Sequence, residues 1–195
     1  MEILVQPFGE FYTNCYIVNR EIIIDPSKGA FEFIKKYVKK PIAIINTHGH
    51  FDHIWDNQKV KEYFDIPIYI HKDDEFLLSN DPFSYNPPKS KADYLLEEGK
   101  IKIDKYEINI LHMPGHTPGT ILIEFENDIF SGDFIFDGSI GRVDFPFSNP
   151  KKMKDSIKKF LNINFTKDKR ILPGHSGYTT IKKAKKFLPN WIDVI

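Results

Sequence analysis

Seven consecutive residues hold the densest chemical signal in this sequence: Thr47-His48-Gly49-His50-Phe51-Asp52-His53. They include three of the seven histidines in a chain of 195 residues. The stretch begins at the end of Ile42–Thr47, an apolar run typical of a strand buried on both faces. Alternate histidines just past a strand direct two imidazoles toward one point. Imidazole nitrogen and carboxylate oxygen are ligands that zinc and related divalent ions prefer, so this stretch predicts a metal site.

Three further segments place a candidate metal ligand beside glycine, each at the predicted end of an apolar strand. They are Met113–Gly119 with His116, Phe130–Asp133 with Asp133, and Leu172–His175 with His175. Each is a weak signal alone, because Gly-Asp and Pro-Gly-His also mark ordinary turns. Together with the histidine cluster they supply five histidines and two aspartates. That set suffices for two four-coordinate ions that share one aspartate.

Length and composition favour one domain over residues 1–195. A single cysteine, Cys15, excludes an internal disulfide and fits a reducing cytosol. No apolar run approaches the roughly 20 residues that a membrane span needs. The first residues lack the basic region of a secretory signal. We therefore expect a cytoplasmic protein without a membrane partner, in which Cys15 is a small buried filler.

Charge is unevenly distributed, although the chain as a whole is neutral. Residues 1–150 contain 15 basic and 24 acidic side chains, net −9, whereas residues 151–195 contain 12 and 3, net +9. Solvated lysine-rich helix faces are the simpler interpretation of the basic segment. The alternative is a positive field that attracts an anionic small-molecule substrate. Arginine and interleaved aromatic residues are scarce there, so a nucleic-acid partner is not expected.

Hydrophobic periodicity predicts strands and helices in both halves of the chain. The predicted strands are Ile3–Phe8, Tyr12–Asn19, Glu21–Asp25, Ile42–Thr47, Ile66–His71, Ile101–Ile103, Glu107–Leu111, Thr120–Glu126, Asp128–Ser131 and Arg170–Leu172. The predicted helices are Ala30–Lys39, His53–Phe64 and two later ones, which carry Met153, Ile157, Phe160 and Leu161, and Ile181, Ala184 and Leu188. This order predicts an α+β fold, with two sheets packed together and helices on the outer faces. Segments 79–94 and Asp137–Pro150 are predicted loops, and loops of such length are often functional.

Taken together, these motifs resemble those of the metallo-β-lactamase-fold hydrolases, specifically the glyoxalase II-like branch of hydroxyacylglutathione hydrolases and their relatives. The resemblance runs from Asn14-Cys15-Tyr16 to about His175, and the ligand motifs occur in the order of that family. It implies an αββα sandwich of two mixed sheets, with two divalent metal ions at one edge. The implied ligands are His48, His50 and His116 for the first ion, Asp52, His53 and His175 for the second, and Asp133 for both. Zinc is the expected metal, with iron or manganese as alternatives, because histidine and aspartate suit all three.

Comparison with other branches narrows the expected activity. True metallo-β-lactamases lack an aspartate at the position of Asp133, which disfavours a lactamase. RNase Z-type nucleases are longer and carry a substrate arm for which 195 residues leave no room. Classical glyoxalase II has a carboxy-terminal helical domain that grips glutathione. This chain ends 20 residues after His175, so we expect the short form without that domain.

The resemblance implies a thioester hydrolase that uses a metal-bridging hydroxide. Coordination lowers the pKa of water toward roughly 7, and Asp52 is the expected catalytic proton acceptor. A thiolate leaving group has a pKa near 8.5 and needs little protonation, which favours a thioester, expected to be anionic, over an amide. Arg142 in Gly138–Asp144 and Tyr85 in the first long loop are the candidate substrate-binding residues.

Three alternatives remain open at this point. One is a persulfide dioxygenase-like enzyme with a single iron on His48, His116 and Asp133. The second is a phosphodiester or lactone hydrolase of the same superfamily, since a bridging hydroxide also attacks phosphorus. The third is a catalytically silent module stabilised by metal. Of the two other histidines, His71 is predicted to be a surface residue at a helix start. His112 is either a structural residue or one that orients a metal ligand through a hydrogen bond.

Overall fold

The first of two central sheets has six strands in the computed structural model, which describes residues 1–195. In chain order, which is also their spatial order, they are β1 (Ile3–Phe8), β2 (Thr13–Val18), β3 (Ile22–Ile24), β4 (Ala43–Ile45), β5 (Ile68–His71) and β6 (Tyr94–Leu96). Strands β1 to β3 pair antiparallel, and β3 to β6 pair parallel. The carboxyl ends of β3, β4 and β5 therefore meet at one edge of this sheet.

The second sheet also has six strands, β7 to β12. They are β7 (Gly99–Ile103), β8 (Tyr106–His112), β9 (Ile121–Phe125), β10 (Asp128–Gly132), β11 (Arg170–Pro173) and β12 (Thr179–Thr180), again adjacent in chain order. Only β10 and β11 pair parallel. Since β8 runs in the same direction as β10, the carboxyl ends of β8, β10 and β11 share one edge. The two sheets meet there: the Asn14 amide donates to the Gly174 carbonyl at 2.7 Å, and the Ile121 amide to the Thr47 carbonyl at 3.0 Å.

Helices cover the outer face of each sheet. They are α1 (Phe31–Tyr37), α2 (Phe51–Ile54), α3 (Asn57–Phe64), α4 (Pro150–Asn162) and α5 (Ile181–Val194), with a 3-10 helix at Lys72–Leu78. Helices α1 and α3 pack on the first sheet, while α4 and α5 pack on the second. The predicted α+β arrangement of two mixed sheets with helices outside is confirmed.

Alternation along the strands builds three apolar layers. In β2, Tyr16 and Val18 face the second sheet, while Cys15 and Ile17 face the helices. Cys15 is fully buried, as expected of a small filler. Between the sheets, Tyr16 meets Phe130 edge-on, with ring centroids 5.1 Å apart. This layer fixes the two sheets relative to each other and so fixes their shared edge.

Apart from shifts of one or two residues at element ends, the structure differs from the prediction in four places. The helix predicted over His53–Phe64 is two helices, α2 and α3. Asp56 lies between α2 and α3. Its carboxylate accepts hydrogen bonds from the Gly29 and Phe31 amides at 3.1 and 2.9 Å, and in this way it caps the first turn of α1. The short strands β6 and β12 were not predicted, because two or three residues carry no periodicity. The 3-10 helix Lys72–Leu78 was not predicted because its apolar residues are consecutive, Phe76 to Leu78, and follow no helical spacing.

No helix of the chain combines the length and the apolar character needed to cross a membrane.

Candidate metal centre

All seven candidate ligands come together at the shared edge of the two sheets. The loop after β4 and helix α2 supply four of them, and the second sheet supplies the other three from the loops that follow β8, β10 and β11. Four groups of histidine and acidic residues have donor atoms within 4.8 Å of one another, and three of these groups draw on the candidate ligands. Those three are His48–His50–His116, His48–His53–Asp133 and Asp52–His53–His175.

The spacing of the donor atoms fits metal coordination better than hydrogen bonding. His53 Nε2 lies 3.4 Å from Asp52 Oδ2 and from Asp133 Oδ1. Asp133 Oδ2 lies 3.4 Å from the Nε2 atoms of both His116 and His175. These distances are long for charged hydrogen bonds. Two ligands of one tetrahedral zinc ion stand about 3.3 Å apart when each is about 2.0–2.1 Å from the metal.

Each imidazole turns Nε2 toward the centre. The ring nitrogen Nδ1 donates to a protein acceptor in three cases: His53 to Asp25 at 2.9 Å, His116 to the Arg142 carbonyl at 2.8 Å, and His175 to the Phe11 carbonyl at 2.9 Å. The Nε2 atoms of His48, His50, His53 and His116, with Asp133 Oδ1, are buried without a hydrogen-bond partner. Buried lone pairs without partners are costly, so this donor set fits divalent ions.

Asp25 orients two of these histidines and was not identified from the sequence. Its carboxylate accepts the Thr47 amide at 2.8 Å, the Thr47 hydroxyl at 2.6 Å and His53 Nδ1 at 2.9 Å. Because the Thr47 hydroxyl proton goes to Asp25, its oxygen is free to accept from His48 Nδ1 at 3.2 Å. One signal was present: Asp25 ends the apolar strand Ile22–Ile24, as the candidate ligands end theirs.

Asp74, in the 3-10 helix, fixes the loop between His48 and His50, and sequence reasoning also missed it. Its carboxylate accepts the Gly49 amide at 2.9 Å, the Thr117 hydroxyl at 2.6 Å and the Gly119 amide at 2.6 Å. It therefore ties a ligand loop of the first sheet to one of the second. Burial raises the pKa of Asp74 to about 6 against these donors. A charged residue in an unpredicted 3-10 helix gives no signal in sequence.

Glycine is required where the backbones approach the donors. A Cβ at Gly174 would overlap Asp133 Oδ1 and His53 Cε1. Gly132 has φ of +47°, and its Cβ would overlap the Thr47 side chain. Both glycines lie one residue from a candidate ligand, so the Gly-Asp and Gly-His pairs reflect close packing around the centre.

The buried histidines and carboxylates of the centre strongly shift one another's pKa values. Burial lowers the pKa of His48, His50 and His116, which favours the neutral form that binds metal. Burial acts to raise the pKa of Asp52, but His53, His175 and Thr13 bring it to about 2. Burial opposes protonation of His175, yet the adjacent carboxylates raise its pKa to about 10. The carboxylates therefore stabilise positive charge beside them, which protons or metal ions can supply.

His71 and His112 stack on each other outside this centre. Their rings are parallel within 19°, with centroids 3.9 Å apart, and they join the ends of β5 and β8. The prediction that His71 is a surface residue is wrong: it is buried, although it does begin the 3-10 helix by accepting the Asp73 amide. His112 Nε2 donates to the Pro118 carbonyl at 2.8 Å. No hydrogen bond joins His112 to a candidate ligand; it holds the loop that carries His116.

A cleft of about 700 Å³ opens above the donor atoms. Five of the candidate ligands reach its wall: His50, Asp52, His116, Asp133 and His175. Arg142 and Tyr85, the candidate substrate residues, also line it. The volume suits a small-molecule ligand.

A model of the metallo-beta-lactamase superfamily matches residues 8–175 of the chain. Hydroxyacylglutathione hydrolase GloC of Haemophilus influenzae is 34% identical, over 97% of each chain. The probable metallo-hydrolase YqgX of Bacillus subtilis is 30% identical, over 90% of each. The BLEG-1 B3 metallo-beta-lactamase structure matches with a TM-score of 0.87 and 30% identity, covering 97% of this chain and 99% of that one. A second solved structure, of a di-iron-bound protein, matches with a TM-score of 0.84 and 29% identity, covering 96% and 99%.

Replacing Asp74 is expected to destabilise the protein. Asp74→Ala leaves two buried amides and a hydroxyl without their acceptor, so we expect the free energy of unfolding to fall by about 2–4 kcal/mol. Urea denaturation at neutral pH measures it. Asp73→Ala, at the exposed neighbouring carboxylate, is the matched control and should change stability by less than about 1 kcal/mol. Equal losses in the two variants would contradict the assigned role.

The buried His71 is expected to make stability depend on pH. Burial lowers its pKa to about 4, against 6.5 in the unfolded chain, so the unfolded state binds more protons between these values. Its contribution is therefore lost as the pH falls from about 6.5 to 4. In metal-free protein, His71→Asn should lose less stability than wild type over this range, by urea denaturation at several pH values. The ligand histidines are common to both proteins and cancel. Parallel pH profiles would refute the assignment.

Proposed function

This chain belongs to the metallo-beta-lactamase superfamily, and we propose that it is a metal-dependent hydrolase of acyl thioesters. Superfamily membership supports an enzyme with a dinuclear divalent metal site, which the histidine and aspartate clusters fit. One observation carries the proposal: the Asp133 carboxylate lies 3.4 Å from the Nε2 atoms of His53, His116 and His175. The buried histidine nitrogens around it include four without hydrogen-bond partners, and Asp133 itself lines a cleft large enough for a small molecule. The similarity to a hydroxyacylglutathione hydrolase supports the thioester class.

The proposed ligand assignment follows two of the three donor groups, and the third, His48–His53–Asp133, joins the two proposed ion sites. His48, His50 and His116 would hold one ion, and Asp52, His53 and His175 the other. Asp133 would contact both, because its Oδ2 lies equally far from His116 and His175. Zinc is the proposed metal, with iron or manganese as alternatives, and the di-iron neighbour supports iron as a real competitor. The ions, when bound, would lower the pKa of a water molecule and polarise a carbonyl group.

Asp52 is the proposed catalytic proton acceptor. Its carboxylate lines the cleft, and its low pKa keeps it ionised at neutral pH. Oδ2 accepts the Thr13 hydroxyl at 2.6 Å and faces His53 and His175 at 3.4 Å. Thr13 thereby fixes the carboxylate plane and leaves Oδ1 to take a proton from the attacking water.

The leaving group decides between a thioester and an amide. In thioester hydrolysis the water oxygen bonds to the acyl carbon, the C–S bond breaks, and the sulfur leaves as a thiolate. With a pKa near 8.5, a thiolate leaves without prior protonation and picks up its proton afterwards. The only lysine or arginine lining the cleft is Arg142, and Asp144 holds it at 2.7 and 2.9 Å. No lysine or arginine in the cleft is therefore free to protonate an amine leaving group.

Arg142 is also the proposed contact for an anionic substrate. Its guanidinium lies 4.3 Å over the Phe145 ring at the cleft wall and is exposed. An anionic group of the substrate would exchange with Asp144 for the same planar pair of donors. The basic helices α4 and α5 line no part of the cleft, so Arg142 alone supports the anionic part of the proposal.

Lactam hydrolysis is the second candidate, because BLEG-1 is a B3 metallo-beta-lactamase with 30% identity over almost the whole chain. A phosphodiester hydrolase, an iron-dependent persulfide oxygenase and a silent metal-stabilised module are the remaining rivals. Hydrolysis of a chromogenic β-lactam would favour the lactamase, and hydrolysis of a phosphodiester would favour the phosphodiesterase. Oxygen uptake with glutathione persulfide would favour the oxygenase. No activity on any of these substrates would favour the silent module.

The central prediction concerns activity of the metal-loaded protein. We expect hydrolysis of small acyl thioesters, S-lactoylglutathione among them, followed by thiol release. Chelation and Asp52→Asn should each lower kcat by about 100-fold or more, and added zinc should restore the chelated wild type only. Asp137→Asn, at an exposed carboxylate of the same cleft, is the matched control. A metal-replete protein that hydrolyses none of these thioesters would refute the proposal.

Metal content tests the shared role of Asp133 separately. Elemental analysis of wild type should give two divalent ions per chain. Asp133→Ala removes the carboxylate that faces both groups, so we expect one ion or fewer, while Asp137→Ala should retain two. One iron per wild-type chain would instead support the mononuclear oxygenase.

A further inference from the structure

A short loop segment, Asp81–Asn86, presents two aromatic side chains to the cleft; we call it the aromatic loop. The Asp81 carboxylate accepts the Phe83 amide at 3.0 Å and the Asn86 amide at 2.8 Å. Ser84 and Asn86 have φ of +63° and +54°, a left-handed conformation that costs energy for residues other than glycine. The Asn86 side chain donates to the Ser84 carbonyl at 2.9 Å. The segment is therefore held in one shape by its own hydrogen bonds.

The aromatic loop completes a continuous aromatic wall. Tyr85 stacks on Phe51, with centroids 4.1 Å apart and planes within 16°, and meets Phe11 edge-on at 5.6 Å. Phe83 contacts Phe51 at 5.6 Å and Phe145 at 5.2 Å. All five rings line the same cleft. The wall consists of Phe11, Phe51, Phe83, Tyr85 and Phe145.

The wall begins at the donor atoms. The His50 ring meets Phe83 at 5.2 Å and Phe145 at 6.0 Å, both edge-on. At its other end, the Phe11 carbonyl accepts His175 Nδ1. A group bonded to a carbonyl carbon above the donors would therefore lie next to these aromatic rings.

Two rings of the wall stay open to solvent. Tyr85 is 46% exposed and Phe11 is 43% exposed, while Phe51 beneath them is buried. A preordered loop that holds exposed rings beside a reactive centre is a typical feature of a ligand site. The wall itself contains no charged side chain. Of the two cations next to it, Arg142 is paired with Asp144 and Lys28 with Glu10. Its chemistry therefore suits an uncharged, flat and apolar group.

We propose that the aromatic wall is the acyl-binding site and that it selects thioesters whose acyl group carries a planar apolar ring. This inference rests on the proposed thioester hydrolysis and names its substrate class: the anionic group, if present, belongs to the thiol part near Arg142, and the aryl group to the acyl part. Asp81 is a positioning residue, because it acts on the substrate only through Phe83 and Tyr85.

The test compares two thioesters of one thiol, phenylacetyl and acetyl N-acetylcysteamine, on the metal-loaded protein. We expect kcat/KM to be at least about 10-fold higher for the phenylacetyl compound. Tyr85→Leu and Phe83→Leu should each reduce that ratio several-fold. Tyr94→Leu is the matched control: Tyr94 is also exposed and stacked, on Tyr69 at 4.7 Å, but lies outside the cleft. It should leave the ratio unchanged.

Asp81 provides an independent readout. Asp81→Ala should raise KM for the phenylacetyl compound with little change in kcat, because the rings are no longer held in place. Asp81→Asn keeps one acceptor oxygen and should restore part of the preference. A merely destabilised protein would lose activity on both thioesters in proportion.

Binding of the product acids separates this inference from the proposed function. Calorimetric titration of the metal-loaded protein should show phenylacetate binding at least about 10-fold more tightly than acetate, and Tyr85→Leu should reduce this difference several-fold. If neither thioester is hydrolysed but phenylacetate still binds selectively, the proposed function fails and the aryl site stands. Equal affinities for the two acids, or equal kcat/KM values for the two thioesters, would overturn the aryl site.

Discussion

Five imidazoles and two carboxylates lie against one another where two sheets meet, and water cannot satisfy most of their lone pairs. An apolar sandwich tolerates such a cluster only if its lone pairs bind cations. In this protein, four histidine Nε2 atoms and Asp133 Oδ1 are buried without a hydrogen-bond partner. The rest of the architecture follows from it, since the sheets must bring four separate loops to one point and hold them there.

Rigidity comes from groups that do not face the centre themselves. Asp25 sets the rings of His48 and His53 through Thr47 and a direct hydrogen bond. Asp74 ties the loop after β4 to the loop after β8. Because each of these carboxylates serves donors on separate segments, it orients several donors at once. The same buried polar groups make the edge of the sandwich sensitive to substitution and to pH.

The cleft combines two chemistries that separate elements supply. Its floor consists of interacting histidines and carboxylates. One wall is aromatic, and it includes a loop that its own hydrogen bonds hold in place. In the proposed function, the floor would activate water and the wall would hold the part of the substrate that does not react. Phe83 of the wall lies 5.2 Å from His50, so the proposed acyl-binding site adjoins the proposed metal site.

The sequence by itself determined the α+β order of elements and the set of candidate ligands. Strands reveal themselves by local apolar runs, and histidine or aspartate beside glycine at their ends is a local pattern too. The roles of Asp25 and Asp74 and the burial of His71 depended on the tertiary structure, because their partners lie 22 to 45 residues away. The same holds for the aromatic wall: a phenylalanine in a loop carries no periodicity, and only packing decides whether its ring faces solvent, core or substrate.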